Sequence, residues 1–141
     1  MVTIKDKWHH ASHCKYLIKL QIILVCKYRK KLLEGAMKDD IKKHLQDAAK
    51  MKDFNIETME SDVDHIHMLV DIKQTQATDE IVKMLKQLST HRIWLEHADK
   101  LKAHFFGKKK IFWTRGYFAC SVGGAEEEVI RKYIEEQGKK G

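Results

Sequence analysis

The sequence contains no proline, only three cysteines and no apolar segment long enough to cross a membrane. Nothing in the sequence accounts for the missing proline. Cys14, Cys26 and Cys120 are an odd number and form no Cys-x-x-Cys pair, which disfavours a disulfide framework or a zinc site and favours reduced thiols in a cytoplasmic protein. The most apolar segment, YLIKLQIILVCKY, is interrupted by Lys19 and Gln21 and falls short of the roughly 20 apolar residues that span a bilayer. The N-terminus shows no export signal, so no membrane partner is expected.

Acidic residues are outnumbered by basic ones, 20 against 27, which gives a net charge of +7 at pH 7. The positive charge is densest in KYRKK (27–31), KDDIKK (38–43) and GKKK (107–110). Such an excess favours a polyanionic partner, because neutralising phosphates releases counterions. A solvated surface that simply uses lysine is the alternative. The length of 141 residues suits a single domain spanning 1–141.

Hydrophobic periodicity predicts the order β-α-β-β-α-β-α after a loose N-terminal arm (1–13). Strands and helices joined in this order form an α+β fold, an antiparallel sheet with helices packed on it. Gly123 and Gly124 predict a sharp turn before the last helix. Residues 98–110 are rich in basic side chains and show no periodicity, which predicts irregular structure there. The predicted strands are 14–28, 54–61, 64–72 and 111–122, and the predicted helices are 36–51, 78–95 and 125–137.

The segment SDVDHIHMLVDI (61–72) alternates like a strand and places two histidines on one face. Residues i and i+2 of a strand lie roughly 6 to 7 Å apart on that face, so His65 and His67 are able to converge on one divalent ion. Asp64 and Asp71 are candidates to orient their rings. Because two ligands hold a metal poorly, a further ligand must come from elsewhere. Histidines that are simply hydrogen-bonded within the strand are the alternative.

The last predicted helix carries a tyrosine and a glutamine one turn apart, at Tyr133 and Gln137. Their spacing of four residues puts both side chains on the same row of the helix, next to the apolar row of Ile130 and Ile134. A phenol can serve as a nucleophile and an amide oxygen as a metal ligand. An amphipathic helix with a half-buried tyrosine explains the same pattern without any chemistry.

Taken together, these motifs resemble a known family. DHIHMLV is similar to the His-hydrophobic-His motif of the HUH nucleases. YFACSVGGAEEEVIRKYIEEQ is similar to the C-terminal signature of the small single-tyrosine transposases of the insertion-sequence two-hundred and six-hundred-and-five type. VCKYRKKLL and FWTRGYF fall where those proteins carry similar segments, and the likeness extends over 14–137 in the right order. Cys26 departs from the pattern, since many relatives have proline there.

The resemblance implies a ferredoxin-like (RRM-like) fold and a homodimer that cleaves and rejoins single-stranded DNA with hairpin ends through a 5′-phosphotyrosine. By position, it implies that Tyr133 is the catalytic nucleophile and that His65, His67 and Gln137 bind Mg²⁺ or Mn²⁺. It also allows the tyrosine helix of one subunit to act in trans on the other, with the two glycines as a hinge.

The basic clusters supply candidate DNA contacts. Tyr28 is a candidate for stacking on a base, and the cationic candidates around it and in the second cluster are Lys27, Arg29, Lys30, Lys108, Lys109, Lys110 and Arg115.

Three other interpretations stay open. One is a domesticated relative that processes host palindromic repeats, and another is a replication initiator or relaxase-like nuclease, which the short length disfavours. The third is a non-catalytic RRM-like module that binds single-stranded nucleic acid and needs neither Tyr133 nor a metal.

Overall fold

The computed structural model describes residues 8–11, 13–107, 109–121 and 127–140. Within them, four strands form an antiparallel sheet in the order β4-β5-β3-β6, and a separate two-stranded ribbon joins β1 to β2. The α+β class with an antiparallel sheet is confirmed. The elements are β1 (His9–Ala11), β2 (Cys14–Tyr16), β3 (Ile18–Val25), α1 (Gly35–Lys52), β4 (Asn55–Ser61), β5 (His65–Ile72), α2 (Thr78–His104), β6 (Phe118–Ser121) and α3 (Glu127–Lys140).

The main core lies between one face of the sheet and the helices α1 and α2. Alternation in β5 buries Ile66, Met68 and Val70 on that side, as period-two patterning predicts. On the opposite face, Ile23 and Val25 of β3 are fully buried beneath Ile134 of α3. The sheet is therefore covered on both faces, by two helices on one and by α3 on the other.

The N-terminal half of the sequence departs from prediction at two places. The predicted strand 14–28 is wrong at its ends, because it is interrupted at Leu17 and β3 stops at Val25, where a short 3₁₀ turn (27–29) begins. Tyr28 in this turn has a left-handed backbone with φ of 60°, a conformation that ends strand pairing. In the predicted loose arm, the described residues 9–11 pair with 14–16 as a ribbon. Residues 1–7 and 12 lie outside the described residues.

The C-terminal half also differs. Helix α2 continues to His104, so the prediction of irregular structure over 98–110 is wrong for its first half. The helix is kinked at His97 (φ −129°, ψ 35°). The predicted strand 111–122 shrinks to 118–121, preceded by a single bridge between Cys26 and Trp113. The two glycines of the proposed hinge, and residues 125 and 126 of the predicted helix, lie outside the described residues.

Side-chain hydrogen bonds fix the segment before β6 although it is not a strand. The indole Nε1 of Trp94 donates to the carbonyl of Ile111 at 3.0 Å, and that of Trp113 donates to Ser89 Oγ at 2.9 Å. The Thr114 amide donates to the carbonyl of Val25 at 2.8 Å. These bonds hold the segment between α2 and the end of β3, beside the face that α3 covers.

Candidate functional site

The histidine pair lies on a central strand, on the face that α3 covers. In β5, His65 is paired with Val25 of β3, and His67 lies between Ile23 of β3 and Glu60 of β4. Both side chains are half-buried, and their even spacing puts them on the same face, as the sequence predicts. The sheet thus presents two imidazoles beside the apolar patch on which α3 rests.

His65 is oriented by its neighbour Asp64. Its Nδ1 lies 2.8 Å from Asp64 Oδ1, and the other carboxylate oxygen accepts from Arg29 Nε at 3.1 Å. With Nδ1–H donating to the carboxylate, Nε2 keeps its lone pair for another partner. Burial alone would raise the pKa of Asp64, but the hydrogen bonds from His65 and Arg29 outweigh it and leave that pKa below its usual value. Asp64 therefore stays ionised and orients the ring, as expected from the sequence.

His67 is held differently. Its Nε2 lies 3.2 Å from the amide oxygen of Gln21 on β3. Burial lowers the pKa of His67, with a smaller contribution from His65 and an opposing one from Glu60. A neutral imidazole is the form that binds a metal, and a donor bond from Nε2 to Gln21 leaves Nδ1 as its lone-pair nitrogen. Asp71, the other candidate for orienting a ring, instead contacts His9 Nε2 at 2.7 Å.

A cleft of about 540 Å³ separates the histidines from α3. Asp64, His65 and His67 lie on its sheet side, with Arg29 and Lys31 at one end. Helix α3 closes the other side through two apolar residues, Ile130 and Ile134, and two charged ones, Arg131 and Glu135. Two imidazoles with a fixed carboxylate at this cleft fit part of a divalent metal site. No cluster of three or more His, Cys, Asp or Glu side chains suited to a metal occurs among the described residues.

Tyr133 lies on α3 but does not line this cleft. Its ring packs against Phe118 of β6, with the ring centroids 5.6 Å apart, and its hydroxyl lies over Gly116. The hydroxyl is buried, and no described residue is its hydrogen-bond partner. Burial raises the pKa of Tyr133, and the nearby Thr114 hydroxyl offsets part of that rise without reaching hydrogen-bond geometry.

Gln137, one turn further along α3, is buried and also absent from the cleft lining. In a single chain, the structure therefore brings the histidines together with the Ile130 and Ile134 side of α3. It directs Tyr133 toward β6. The assignment of Tyr133 as nucleophile and of His65, His67 and Gln137 as metal ligands stays a prediction.

The sequence also matches the model of the IS200-like transposase family over residues 14–137. The chain belongs to this family. It is 32% identical over 125 residues to the ISDra2 transposase TnpA of Deinococcus radiodurans, covering 89% of this chain and 87% of that one. It is 28% identical over 126 residues to the transposase of the insertion sequence element IS200 of Salmonella typhimurium, covering 89% and 80%. The recognition made from the sequence motifs is confirmed, and the chain is a DNA transposase by family.

Two solved structures share the fold of this transposase. A proposed transposase from Deinococcus radiodurans aligns with a TM-score of 0.80 and 23% identity, over 92% of this chain and 97% of that one. A REP-associated tyrosine transposase bound to a REP hairpin aligns with a TM-score of 0.55 and 10% identity, over 96% and 69%. At these identities the two alignments show the fold alone.

The residues of the transposase that the sequence predicts to contact DNA lie in different environments. Tyr28 is 56% exposed, with Lys27 Nζ 5.2 Å from its ring centroid, so its ring is open to a stacking partner. Arg29 donates a hydrogen bond to Asp64, whereas Lys30 Nζ lies 5.8 Å from the centroid of the Phe105 ring. Arg115 is exposed in the segment before β6, and Lys108 lies outside the described residues.

Two features of the transposase were missed by sequence reasoning. Gln21 was noted only as an interruption of an apolar run, although a lone amide in a buried strand is itself a signal of a polar partner. Lys86 of α2 gave no signal, yet it contacts the segment that faces Tyr133. None of the described helices is both long and apolar enough to cross a membrane.

Proposed function

We propose that this transposase cleaves and rejoins single-stranded DNA at the ends of a mobile element, with Tyr133 as the nucleophile. The observation that carries the proposal is the cleft in which the oriented His65 and His67 face the tyrosine-bearing helix. In the cleavage step, the Tyr133 oxygen bonds to the scissile phosphorus as the bond to the 3′ oxygen breaks. The products are a 5′-phosphotyrosine and a free 3′-hydroxyl, so a later 3′-hydroxyl can reverse the step without ATP.

His65, His67 and Gln137 would hold the divalent cation, Mg²⁺ or Mn²⁺. When bound, such an ion polarises the phosphate and stabilises the charge that develops on it. Asp64 keeps His65 in the tautomer that leaves Nε2 available, and Arg29, bonded to the same carboxylate, adds positive charge at the end of the cleft. Among the described residues, no carboxylate or imidazole is hydrogen-bonded to the Tyr133 hydroxyl in its buried position. We propose that the phenolic proton leaves to a group that arrives with the substrate or solvent.

The tyrosine must change its surroundings to reach a phosphate held at the histidines. Its hydroxyl is buried over Gly116, whereas the cleft is bordered by Ile130 and Ile134. We propose a homodimer in which α3 of one subunit serves the histidines of the other. The few apolar contacts that hold α3 to the sheet support such an exchange, as does the sequence pair Gly123-Gly124 ahead of the helix.

DNA hairpins are the proposed recognition element. The family membership supports a DNA substrate, and the solved relative bound to a REP hairpin supports a hairpin partner. The exposed Tyr28 and the adjacent Lys27 provide a stacking and phosphate-binding surface for the single strand beside the hairpin.

The test of the nucleophile uses a hairpin-bearing oligonucleotide labelled at its 3′ end. With Mg²⁺ or Mn²⁺, the wild-type protein is expected to carry the label through a denaturing gel. Tyr133→Phe should carry none, because phenylalanine has no oxygen to bond to phosphorus. Tyr16→Phe, which changes a tyrosine outside the cleft lining and stacked on His9, is the matched control and should label like wild type. Equal labelling of Tyr133→Phe and wild type would end the assignment.

The test of the dimer has two parts. Light scattering is expected to give twice the chain mass of 16.6 kDa at micromolar concentration. Mixing the His65→Ala/His67→Ala variant with Tyr133→Phe should restore adduct formation that neither shows alone, because one site of the mixed dimer then combines an intact pair with an intact tyrosine. A monomeric mass contradicts the dimer, and a dimer without restoration contradicts action in trans.

A second candidate is a domesticated relative that processes host palindromic repeats. The structural likeness to the REP-associated transposase favours it as the runner-up. Imperfect palindromes just inside the boundaries of a mobile element around the gene would support the first candidate, and dispersed palindromes elsewhere in the genome the second.

A further inference from the structure

Lys86 lies on α2, in the middle of the polar contacts that hold the segment before β6. Its Nζ donates to three successive backbone carbonyls, those of Thr114 at 2.7 Å, Arg115 at 2.8 Å and Gly116 at 2.8 Å. An ammonium group has three N–H donors and no acceptor, so this arrangement uses its whole hydrogen-bonding capacity. Three consecutive carbonyls that point to one cation require a tightly curved backbone. Lys86 therefore fixes the shape of the segment 114–116.

The curved segment forms the surface that faces the Tyr133 hydroxyl. The hydroxyl lies against Gly116, since a Cβ added there would be in ordinary van der Waals contact with that oxygen at 3.5 Å. Phe118, two residues later, packs against the tyrosine ring. Thr114 donates from Oγ1 to the carbonyl of Gly116 at 3.4 Å, which ties the two ends of the segment together. We call the segment 114–116 with Phe118 the tyrosine notch.

We propose that Lys86 is a positioning residue, which holds the tyrosine notch in the shape that stores the Tyr133 hydroxyl away from water between catalytic events. The inference rests on the proposed function only in calling this hydroxyl the nucleophile. Lys86 touches neither histidine and does not line the cleft, so it acts through the backbone of the notch.

Two further observations support the assignment. The Tyr133 hydroxyl is buried and has no hydrogen-bond partner among the described residues, so its packing against the notch determines its exposure. Lys86 is itself half-buried, and burial together with the charge of Lys27 lowers its pKa to about 8. Keeping a cation in such a place is costly unless its donors are used, which fits a role in holding three carbonyls.

The test is the chemical reactivity of Tyr133, which can be measured without DNA or metal. Tetranitromethane nitrates accessible phenols, and mass spectrometry resolves the four tyrosines of the chain. In wild type, Tyr133 is expected to react slowly, whereas Tyr28, which is 56% exposed, is the fast internal reference. Lys86→Met keeps the aliphatic stem but removes all three donors, and should speed nitration of Tyr133 about tenfold, since the notch then opens more often. Lys86→Arg, which keeps the charge and several donors, should return it toward the wild-type rate.

Lys83→Met is the matched control, since Lys83 is exposed one turn earlier on the same helix, and it should leave Tyr133 as slow as in wild type. Circular dichroism reports whether each variant is folded. If Lys86→Met is unfolded, Lys86→Gln, with a shorter side chain and one amide donor group, takes its place in the same assay. A folded Lys86 variant that loses thermal stability but nitrates Tyr133 at the wild-type rate would show a merely structural lysine and overturn the proposal. If nitration behaves as expected but wild type forms no DNA adduct, the proposed function fails and the storage role stands.

Discussion

Replacing Asp64 by asparagine tests the proposal that His65 is a metal ligand held in the right tautomer by this carboxylate. The carboxylate accepts from His65 Nδ1 at 2.8 Å and from Arg29 Nε at 3.1 Å, and Asp64 is only 8% exposed. An asparagine can turn its NH₂ group toward Nδ1, which then becomes the acceptor and leaves the ring proton on Nε2. In that tautomer Nε2 carries the proton and has no lone pair for a cation, and the lone pair of Nδ1 accepts from the asparagine. We expect Asp64→Asn to weaken Mg²⁺ or Mn²⁺ binding about 10- to 100-fold, or roughly 1.4 to 2.7 kcal/mol.

The effect on folding should be smaller than the effect on the metal. Arg29 is 37% exposed in its side chain, so the loss of its ion pair is screened and costs about 1 kcal/mol or less. The assay is the Mn²⁺ concentration at half-maximal adduct formation, with calorimetric binding of Mn²⁺ as a second measure. Asp71→Asn, with the same charge change but a contact to His9 instead of His65, is the control. A folded Asp64→Asn protein with an unchanged Mn²⁺ midpoint would refute the reasoning.

Three further outcomes follow from buried groups on and around α3. Ser89→Ala should lower the free energy of unfolding by about 1 to 3 kcal/mol in urea titrations, because the buried indole N–H of Trp113 loses its acceptor. A decrease of less than about 0.5 kcal/mol would contradict this expectation. Ile134→Ala should speed amide exchange in α3 well before the rest of the chain, since Ile134 is only 9% exposed on the patch that holds this helix. The ultraviolet titration of wild type minus Tyr133→Phe should show a phenol that ionises above its usual pKa of 10.0. Because the unfolded chain loses that proton first, wild type should also lose stability relative to the variant as the pH rises above 10.

Local periodicity was sufficient for the elements that carry the candidate site. In β5 the alternation of polar and apolar residues places His65 and His67 on one face, because successive side chains of a strand point to opposite faces whichever strand it pairs with. The i, i+4 spacing likewise places Tyr133 and Gln137 on one helix, within α3. These predictions needed no knowledge of distant contacts.

The errors came where distant contacts decide the backbone. The strand predicted to reach residue 28 ends at Val25, because the chain then enters a 3₁₀ turn in which Tyr28 and Arg29 have left-handed backbones. The segment before β6 has the aromatic composition of a strand, yet among the described residues its backbone forms only the single bridge between Cys26 and Trp113, and the indole donors of Trp94, on α2, and of Trp113 link the segment to that helix. Composition alone does not separate a buried loop from a strand.

Within the site, the partners that matter are far apart in sequence. His67 and Gln21 are 46 positions apart, and Arg29 and Asp64 are 35 apart. Lys86 is one of several lysines on α2. It differs from exposed ones such as Lys83 only because the segment that contains Thr114 packs against the helix at this position. Single-sequence patterns carry no record of these pairings, so the motif residues and the adjacent Asp64 were predictable, and the partners that are distant in sequence were not.

The apolar pair Ile23 and Val25 affects the energy that is needed to detach α3 from the sheet. Both side chains have no exposed surface while the helix is seated, and departure of the helix into water would wet them, at a cost of about 1.5 to 3 kcal/mol for each side chain fully exposed. An exchange of helices between two copies lowers that cost, since the Ile134 of an arriving helix covers the patch that the departing one leaves. The apolar residues beneath the helix that carries the proposed nucleophile would therefore favour exchange of α3 between two subunits over its dissociation into water in a single chain.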